Sequence, residues 1–161
     1  MCIKIFITGG TFDKEYNEIK QVLYFKNSHV PEMLKHGRCK VDIDIRTLMM
    51  IDSFDMTDTD RKNILENCRK CEETRIVITH GTDGMPATAK LLAKHIKNKT
   101  IILTGAMVPY TFGSSDGMFN LGSAIAYAEA LPKGVFIAMN GKYFKGDKVR
   151  KNLKTGEFEE T

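Results

Sequence analysis

No apolar run in this sequence approaches the roughly 18 residues that a helical membrane span needs. A signal-peptide core is not visible either. The opening stretch Cys2-Ile3-Lys4-Ile5-Phe6-Ile7 is too short for one and reads as a strand. A cytoplasmic protein with reduced thiols and no membrane partner is therefore expected. Cysteine is sparse, with Cys2, Cys39, Cys68 and Cys71. Cys68 and Cys71 form a C-x-x-C, but no second pair and no suitably spaced histidine (His29, His36, His80, His95) completes a zinc set. The pair falls in a charged, helix-like stretch, where residues three apart share a face. Two small half-buried side chains account for it, and no metal is expected.

A large excess of one charge is also missing. Lys and Arg number 24 against 20 Asp and Glu, for a net charge of +4. Nucleic-acid binders concentrate basic residues on one face or in one run. Here the densest group is Lys142, Lys145, Lys148, Arg150, Lys151 and Lys154, which reads as a solvated face, with a general attraction for anionic substrates as the other reading. No nucleic-acid partner is expected. The glycine motifs of nucleotide sites, G-x-G-x-x-G and G-x-x-x-x-G-K-[ST], are absent, as is the G-x-S-x-G of a hydrolase elbow. Internal repeats and low-complexity linkers are missing too.

What remains is an ordinary globular composition, 42% hydrophobic and 27% charged over 161 residues, long enough to bury a real core as one domain spanning 1–161. Lys4–Thr8, Val41–Leu48, Thr74–Thr79, Thr100–Thr104 and Gly134–Met139 read as strands. Helix-like segments alternate with them. One lies within Tyr16–Lys35, with Pro31 opening a fresh turn. The others are Asp58–Lys70 with Asp58 as N-cap, Gly84–Ile96 with Pro86 in its first turn, and Ser115–Ala130. The tail from Lys148 is polar and reads as loosely ordered. Alternation of apolar strands with helices implies an α/β fold: a single three-layer domain, mainly parallel sheet with helices on both faces, Rossmann-like or flavodoxin-like.

Ligands of such sheets sit outside the carboxyl ends of the strands. The residues leaving those ends are Gly9-Gly10-Thr11, Asp52-Ser53, His80-Gly81-Thr82-Asp83 and Gly105-Ala106-Met107. His80 reads as a core or turn histidine. Thr11 and Thr82 each read either as caps of the following helix or as nucleophiles whose proton a neighbour removes. An aspartate can hold a cationic amine, and backbone N–H groups beside glycine can hold an oxyanion. Together these parts suit acyl transfer on a small amide.

The run Thr8-Gly9-Gly10-Thr11, then Thr79-His80-Gly81-Thr82-Asp83, then Leu103-Thr104-Gly105-Ala106-Met107 with Pro109 and Ser115-Asp116-Gly117 through Asn120-Leu121, resembles the bacterial-type L-asparaginase family over nearly the whole chain. The resemblance implies a cofactor-free and metal-free hydrolase of the side-chain amide of L-asparagine, and sometimes glutamine. It makes Thr11 the nucleophile and Tyr16 the tyrosine that hydrogen-bonds it. Thr82 would polarise or attack, and Asp83 would hold the substrate α-ammonium. Lys151 would complete a Thr–Lys–Asp group, as a base or as a fixed charge. Ser53 in the Asp52-Ser53 loop would grip the α-carboxylate, with Gly10, Gly81 and Ala106 lining the site.

Two departures follow. Family members of usual length carry a second domain, which is expected to be absent here, so the short single-domain asparaginases are the nearer comparison. Phe54 stands where several members have a polar residue that helps bind the α-ammonium. A site left half covered implies a homodimer or homotetramer. The alternatives in other classes are a partner-dependent amidase subunit supplying ammonia for amidotransfer, and an amino-acid-binding sensor.

Overall fold

A computed structural model describes all 161 residues. Its centre is a six-stranded sheet. In chain order the strands are β1 (Ile3–Gly9), β4 (Ile43–Ile51), β5 (Arg75–Thr79), β6 (Thr100–Thr104), β7 (Gly134–Met139) and β8 (Lys142–Lys145). Across the sheet they run β4-β1-β5-β6-β7-β8. All neighbours are parallel except β8, which turns back antiparallel on β7. Helices α1 (Val30–His36), α2 (Asp58–Lys70), α3 (Met85–His95) and α4 (Gly117–Ala130) cover it. None is long and apolar enough to cross a membrane.

Successive strand residues point to opposite faces, and both faces are covered, so the strands read as unbroken apolar runs. Phe6, Ile76, Ile78, Ile101, Leu103 and Ile137 enter one core with Ile64, Leu65 and Cys68 of α2 and Met85, Ala89 and Leu92 of α3. Ile5, Ile7, Val77, Ile102, Phe136 and Ala138 enter the other with Val30 and Met33 of α1 and Leu121, Ala124 and Ile125 of α4. Each fully buried Ile, Leu or Phe contributes about 1.5–3 kcal/mol relative to exposure.

The chain leaves β1 toward β4 on one side and then crosses to β5 on the other. This reversal puts the crevice of a doubly wound sheet between the carboxyl ends of β1 and β5.

Three local expectations need correction. The helix expected within Tyr16–Lys35 occupies only the end of that stretch, as α1 with Pro31 in its first turn, and the segment from Tyr16 up to it is not helical. It forms a hairpin of β2 (Lys14–Asn17) and β3 (Val22–Phe25), pairing Tyr16 with Leu23. The Asn17 side chain accepts the N–H groups of Ile19 and Lys20, at 3.1 and 2.9 Å, and so closes a turn in place of a helix. The β-branched and aromatic run Val22–Phe25 then suits a strand. Helix α2 is capped by Thr57, not Asp58. The Thr57 hydroxyl accepts the Asp60 N–H at 3.2 Å, and the Asp60 carboxylate accepts the Thr57 N–H at 2.8 Å, a reciprocal capping box. The C-terminal tail is ordered as a second hairpin, β9 (Val149–Lys151) with β10 (Phe158–Glu160), because Val149 and Phe158 are buried against the α2–α3 side of the sheet.

Candidate active site

The site grows from two glycines. Gly9 and Gly10 have φ of +103° and +79°, a region that disfavours any side chain. A Cβ on Gly9 would collide with the Ile51 backbone, and one on Gly10 would lie 2.6 Å from the Gly81 Cα. The end of β1 therefore lies directly against the ends of both β4 and β5. Thr11 follows at once, opening a single 3-10 turn, Thr11–Asp13. Phe12 and Asp13 of that turn are buried. The Asp13 carboxylate accepts the Ser28 hydroxyl at 2.9 Å and the His29 N–H at 2.8 Å, while burial pushes its pKa up. Thr11 is thus left half-buried on an anchored turn beside the crevice.

At the end of β5, His80 is wholly enclosed. Its Nδ1 lies 2.8 Å from the Gly81 carbonyl and its Nε2 lies 2.8 Å from the Thr88 hydroxyl. Burial pulls its pKa down to about 4, so the ring is neutral near pH 7. Both nitrogens are used in holding the turn, which fits the expected core role. Ser53 fills the space beside this turn. A Cβ on Gly81 or Gly84 would meet its side chain at 2.6 or 2.8 Å, and its hydroxyl accepts the Gly84 N–H at 3.0 Å. Asp52, next to it, pairs with Lys14 of β2 and accepts the Phe54 N–H at 3.3 Å. Burial opposes the Asp52 charge, yet the Lys14 ammonium and the N–H groups of Phe54 and Ser53 outweigh it and hold its pKa below the usual carboxylate value.

Three of the expected residues form one hydrogen-bonded group. The Lys151 ammonium, on β9, donates to the Thr82 hydroxyl and to Asp83 Oδ1, each at 2.8 Å. The Lys151 side chain is only 8% exposed, whereas that of Asp83 is 30% exposed. The Thr82 hydroxyl in turn donates to the Met107 sulfur at 3.7 Å.

A fourth loop is held by residues to which the sequence reading assigned no role. Asn120 is fully buried. Its amide donates to the Gly105 carbonyl at 2.9 Å and to Asp116 at 3.0 Å, and its oxygen accepts the Asn140 N–H at 3.0 Å. Asp116 accepts the N–H groups of Met107 and Val108 at 3.0 Å. This clamp fixes Gly105, the buried Ala106 and Met107 beside Thr82. The visible signal was the four-residue spacing of Asp116 and Asn120, which share a helix face. Lys14 and Asp13 carried no comparable signal, since their partners lie elsewhere in the chain.

Gly10, Thr11, Asp52, Ser53, Gly81, Thr82, Asp83 and Ala106 all lie at the carboxyl end of the sheet, and Lys151 reaches the same end from β9. Tyr16 stands apart. It is 51% exposed on β2, and its hydroxyl makes no hydrogen bond to Thr11. The arrangement provides three hydroxyls, on Thr11, Ser53 and Thr82, a buried ammonium, a carboxylate with one oxygen free of protein partners, and glycine-flanked N–H groups.

Comparison with known proteins identifies the family and the fold. Residues 2–158 match the family described as asparaginase, N-terminal. The chain is 30% identical over 165 aligned positions to L-asparaginase 1 of Escherichia coli, an alignment covering 92% of this chain and 47% of that protein. It is 46% identical over 89 residues to the glutaminase-asparaginase of Pseudomonas fluorescens, covering 52% of this chain and 25% of that one. Among solved structures, the thermostable L-asparaginase from Thermococcus kodakarensis superimposes with a TM-score of 0.86 at 27% identity, over 99% of this chain and 51% of that one. The probable cytoplasmic L-asparaginase from Campylobacter jejuni does so with a TM-score of 0.80 at 32% identity, over 98% and 52%. The chain thus spans about half the length, or less, of the relatives it matches.

Proposed function

This chain belongs to the asparaginase family through the N-terminal domain of that family, and we propose that it hydrolyses the side-chain amide of L-asparagine to L-aspartate and ammonia. The observation that carries the reading is the Thr82–Lys151–Asp83 group, joined by two 2.8 Å hydrogen bonds next to the seam where Gly10 meets Gly81. Asparaginase names among the relatives support the substrate, and the glutaminase-asparaginase names support a weaker activity on glutamine.

In this reading Thr11 attacks the amide carbon, and N–H groups near Thr11 and Thr82 hold the oxyanion. Ammonia leaves with a proton, and water then cleaves the Thr11 ester. Asp83 spends one oxygen on Lys151 and offers the other to the substrate α-ammonium. The Ser53 hydroxyl accepts the Gly84 N–H, so its own proton is available for the α-carboxylate. Tyr16 takes the proton of Thr11 only if the β2–β3 hairpin moves inward when substrate binds, as lids over active sites do. A second reading makes Thr82 the attacking group, and the direct contact of Lys151 with its hydroxyl favours that reading. No cofactor or metal is called for in either case. Residues 1–161 are proposed to form one asparaginase-type domain of a cytoplasmic enzyme, in which a second copy of the chain, in a homodimer or homotetramer, packs beside the site.

The test is ammonia release from L-asparagine, with L-glutamine and D-asparagine alongside. Activity lost in Thr11→Ala supports the first reading. Activity retained in Thr11→Ala and lost in Thr82→Ala supports the second. A folded chain inactive on all three substrates refutes both.

A further inference from the structure

Met107 is placed unlike the other methionines. Of the nine in the chain, only Met1 and Met107 are exposed, at 84% and 45%. Met33, Met56, Met85 and Met139 are buried, and Met49, Met50 and Met118 are partly covered. Met1 is at the chain end, remote in role from the site. Met107 lies inside it. Its backbone N–H is fixed by Asp116 at 3.0 Å, and its sulfur accepts the Thr82 hydroxyl at 3.7 Å. Its methyl group lies against Gly156, 3.2 Å from where a Cβ would stand, in the turn between β9 and β10. The side chain therefore bridges Thr82 and the hairpin that supplies Lys151.

We propose that Met107 is a sulfoxidation site through which peroxide disables the Thr82–Lys151 pair. A thioether is a weak hydrogen-bond acceptor, so the Thr82 proton is lightly held in the reduced protein. In the oxidation, a sulfur lone pair attacks one oxygen of hydrogen peroxide and the O–O bond breaks. Sulfur gains the oxygen and loses two electrons, and the peroxide is reduced to water. The sulfoxide oxygen is a stronger, polar acceptor, bonded to the sulfur that already lies within reach of Thr82. It captures the Thr82 hydroxyl and competes for the Lys151 ammonium in a charge-assisted hydrogen bond. The bulkier polar group also presses on the Gly156 turn. The consequence is reversible, because sulfoxide reductases restore methionine. The effect on rate rests on the amidohydrolase reading above, whereas the oxidation and its effect on Thr82 do not.

The experiment treats the folded chain, and Met107→Leu in parallel, with graded hydrogen peroxide. Three quantities are followed: sulfoxide at each methionine by peptide mass spectrometry, the Thr82 methyl resonance by NMR, and ammonia release from L-asparagine. The expected result is oxidation of Met107 ahead of every methionine except Met1, with a shift of the Thr82 resonance. The rate falls by about tenfold at full conversion, the scale of one disrupted hydrogen bond, and methionine sulfoxide reductase reverses both changes. Met107→Leu, whatever its starting rate, keeps that rate and its Thr82 resonance after peroxide although Met1 is still oxidised. The proposal is overturned if Met107 oxidises while the Thr82 resonance stays fixed, or if Met107→Leu loses the same fraction of its rate. If the untreated chain releases no ammonia, the amidohydrolase reading fails, and the Thr82 resonance still decides this inference.

Discussion

Lys14 and Asp52 form an ion pair that ties the strand after the Thr11 turn to the loop that carries Ser53. The two residues are 38 positions apart. One sits beside the proposed nucleophile and the other beside the proposed carboxylate-binding hydroxyl, so the pair sets the spacing between them. Lys14→Met is expected to raise KM for asparagine several-fold with a smaller change in kcat, because substrate placement loosens before chemistry does. Stability should fall by about 1 kcal/mol or less, since the pair is partly solvated. Because the Asp52 pKa is lowered in the folded state, this contribution is present above the unfolded carboxylate value of about 3.9. It is lost as pH falls through the folded value. A KM unchanged in Lys14→Met would show that the pair does not position the substrate.

Removing the Lys151 ammonium separates catalysis from folding. Lys151→Met keeps most of the buried stem and deletes the donor to Thr82 and Asp83. A loss of about 10²-fold or more in kcat is expected, on the scale of general acid–base catalysis. Circular dichroism should show an unchanged fold. Activity within twofold of the native rate would remove Lys151 from the mechanism.

Gly10→Ala should unfold the seam between β1 and β5. The new methyl group would lie 2.6 Å from the Gly81 Cα, at a φ of +79°. Backbone strain and overpacking together amount to about 3 kcal/mol. Denaturant titration should show the midpoint falling accordingly, and a midpoint close to native would mean that the two loops separate at little cost.

His80 makes stability depend on pH. Its folded pKa of about 4 lies below the unfolded value near 6.5. The unfolded chain therefore takes up the proton first, and stability is full above about pH 6.5 and declines as pH falls toward 4. The loss over that window is about 3 kcal/mol. Urea midpoints measured from pH 7 to 4 should fall, and the His80 ring should titrate by NMR near pH 4. A ring titrating near 6.5 would refute the burial argument.

Exposed Phe54 gives a last expectation. It is 80% exposed beside Ser53 and so buries little. Phe54→Gln should leave stability within about 0.5 kcal/mol, as for a surface change, and should lower KM for asparagine if a polar group there reaches the α-ammonium. A KM that stays constant would assign the site's amino-acid recognition to Asp83 and Ser53 alone.

Much of the fold was legible because burial on both faces leaves a plain mark. Thr100–Thr104 and Gly134–Met139 are strands at the expected bounds, and Asp58–Lys70 is the expected helix. The hairpin was not legible. Lys14–Asn17 is polar, and a single Asn17 side chain decides between turn and helix. The order of the tail is hidden for a related reason, since its two anchors, Val149 and Phe158, are scattered among charged residues.

The sequence alone determined that small residues and hydroxyls would leave the carboxyl ends of parallel strands, because strand period and glycine placement are local properties. It also carried the motifs by which the family is known. Tertiary structure alone decided which of these groups meet. Lys151 reaches Asp83 across 68 positions, Asn120 ties Gly105 to Asn140, and Tyr16 stands away from Thr11. Such contacts depend on strand order and on how the hairpins pack. Those follow from the summed burial of many distant side chains, and no short stretch of sequence records that sum.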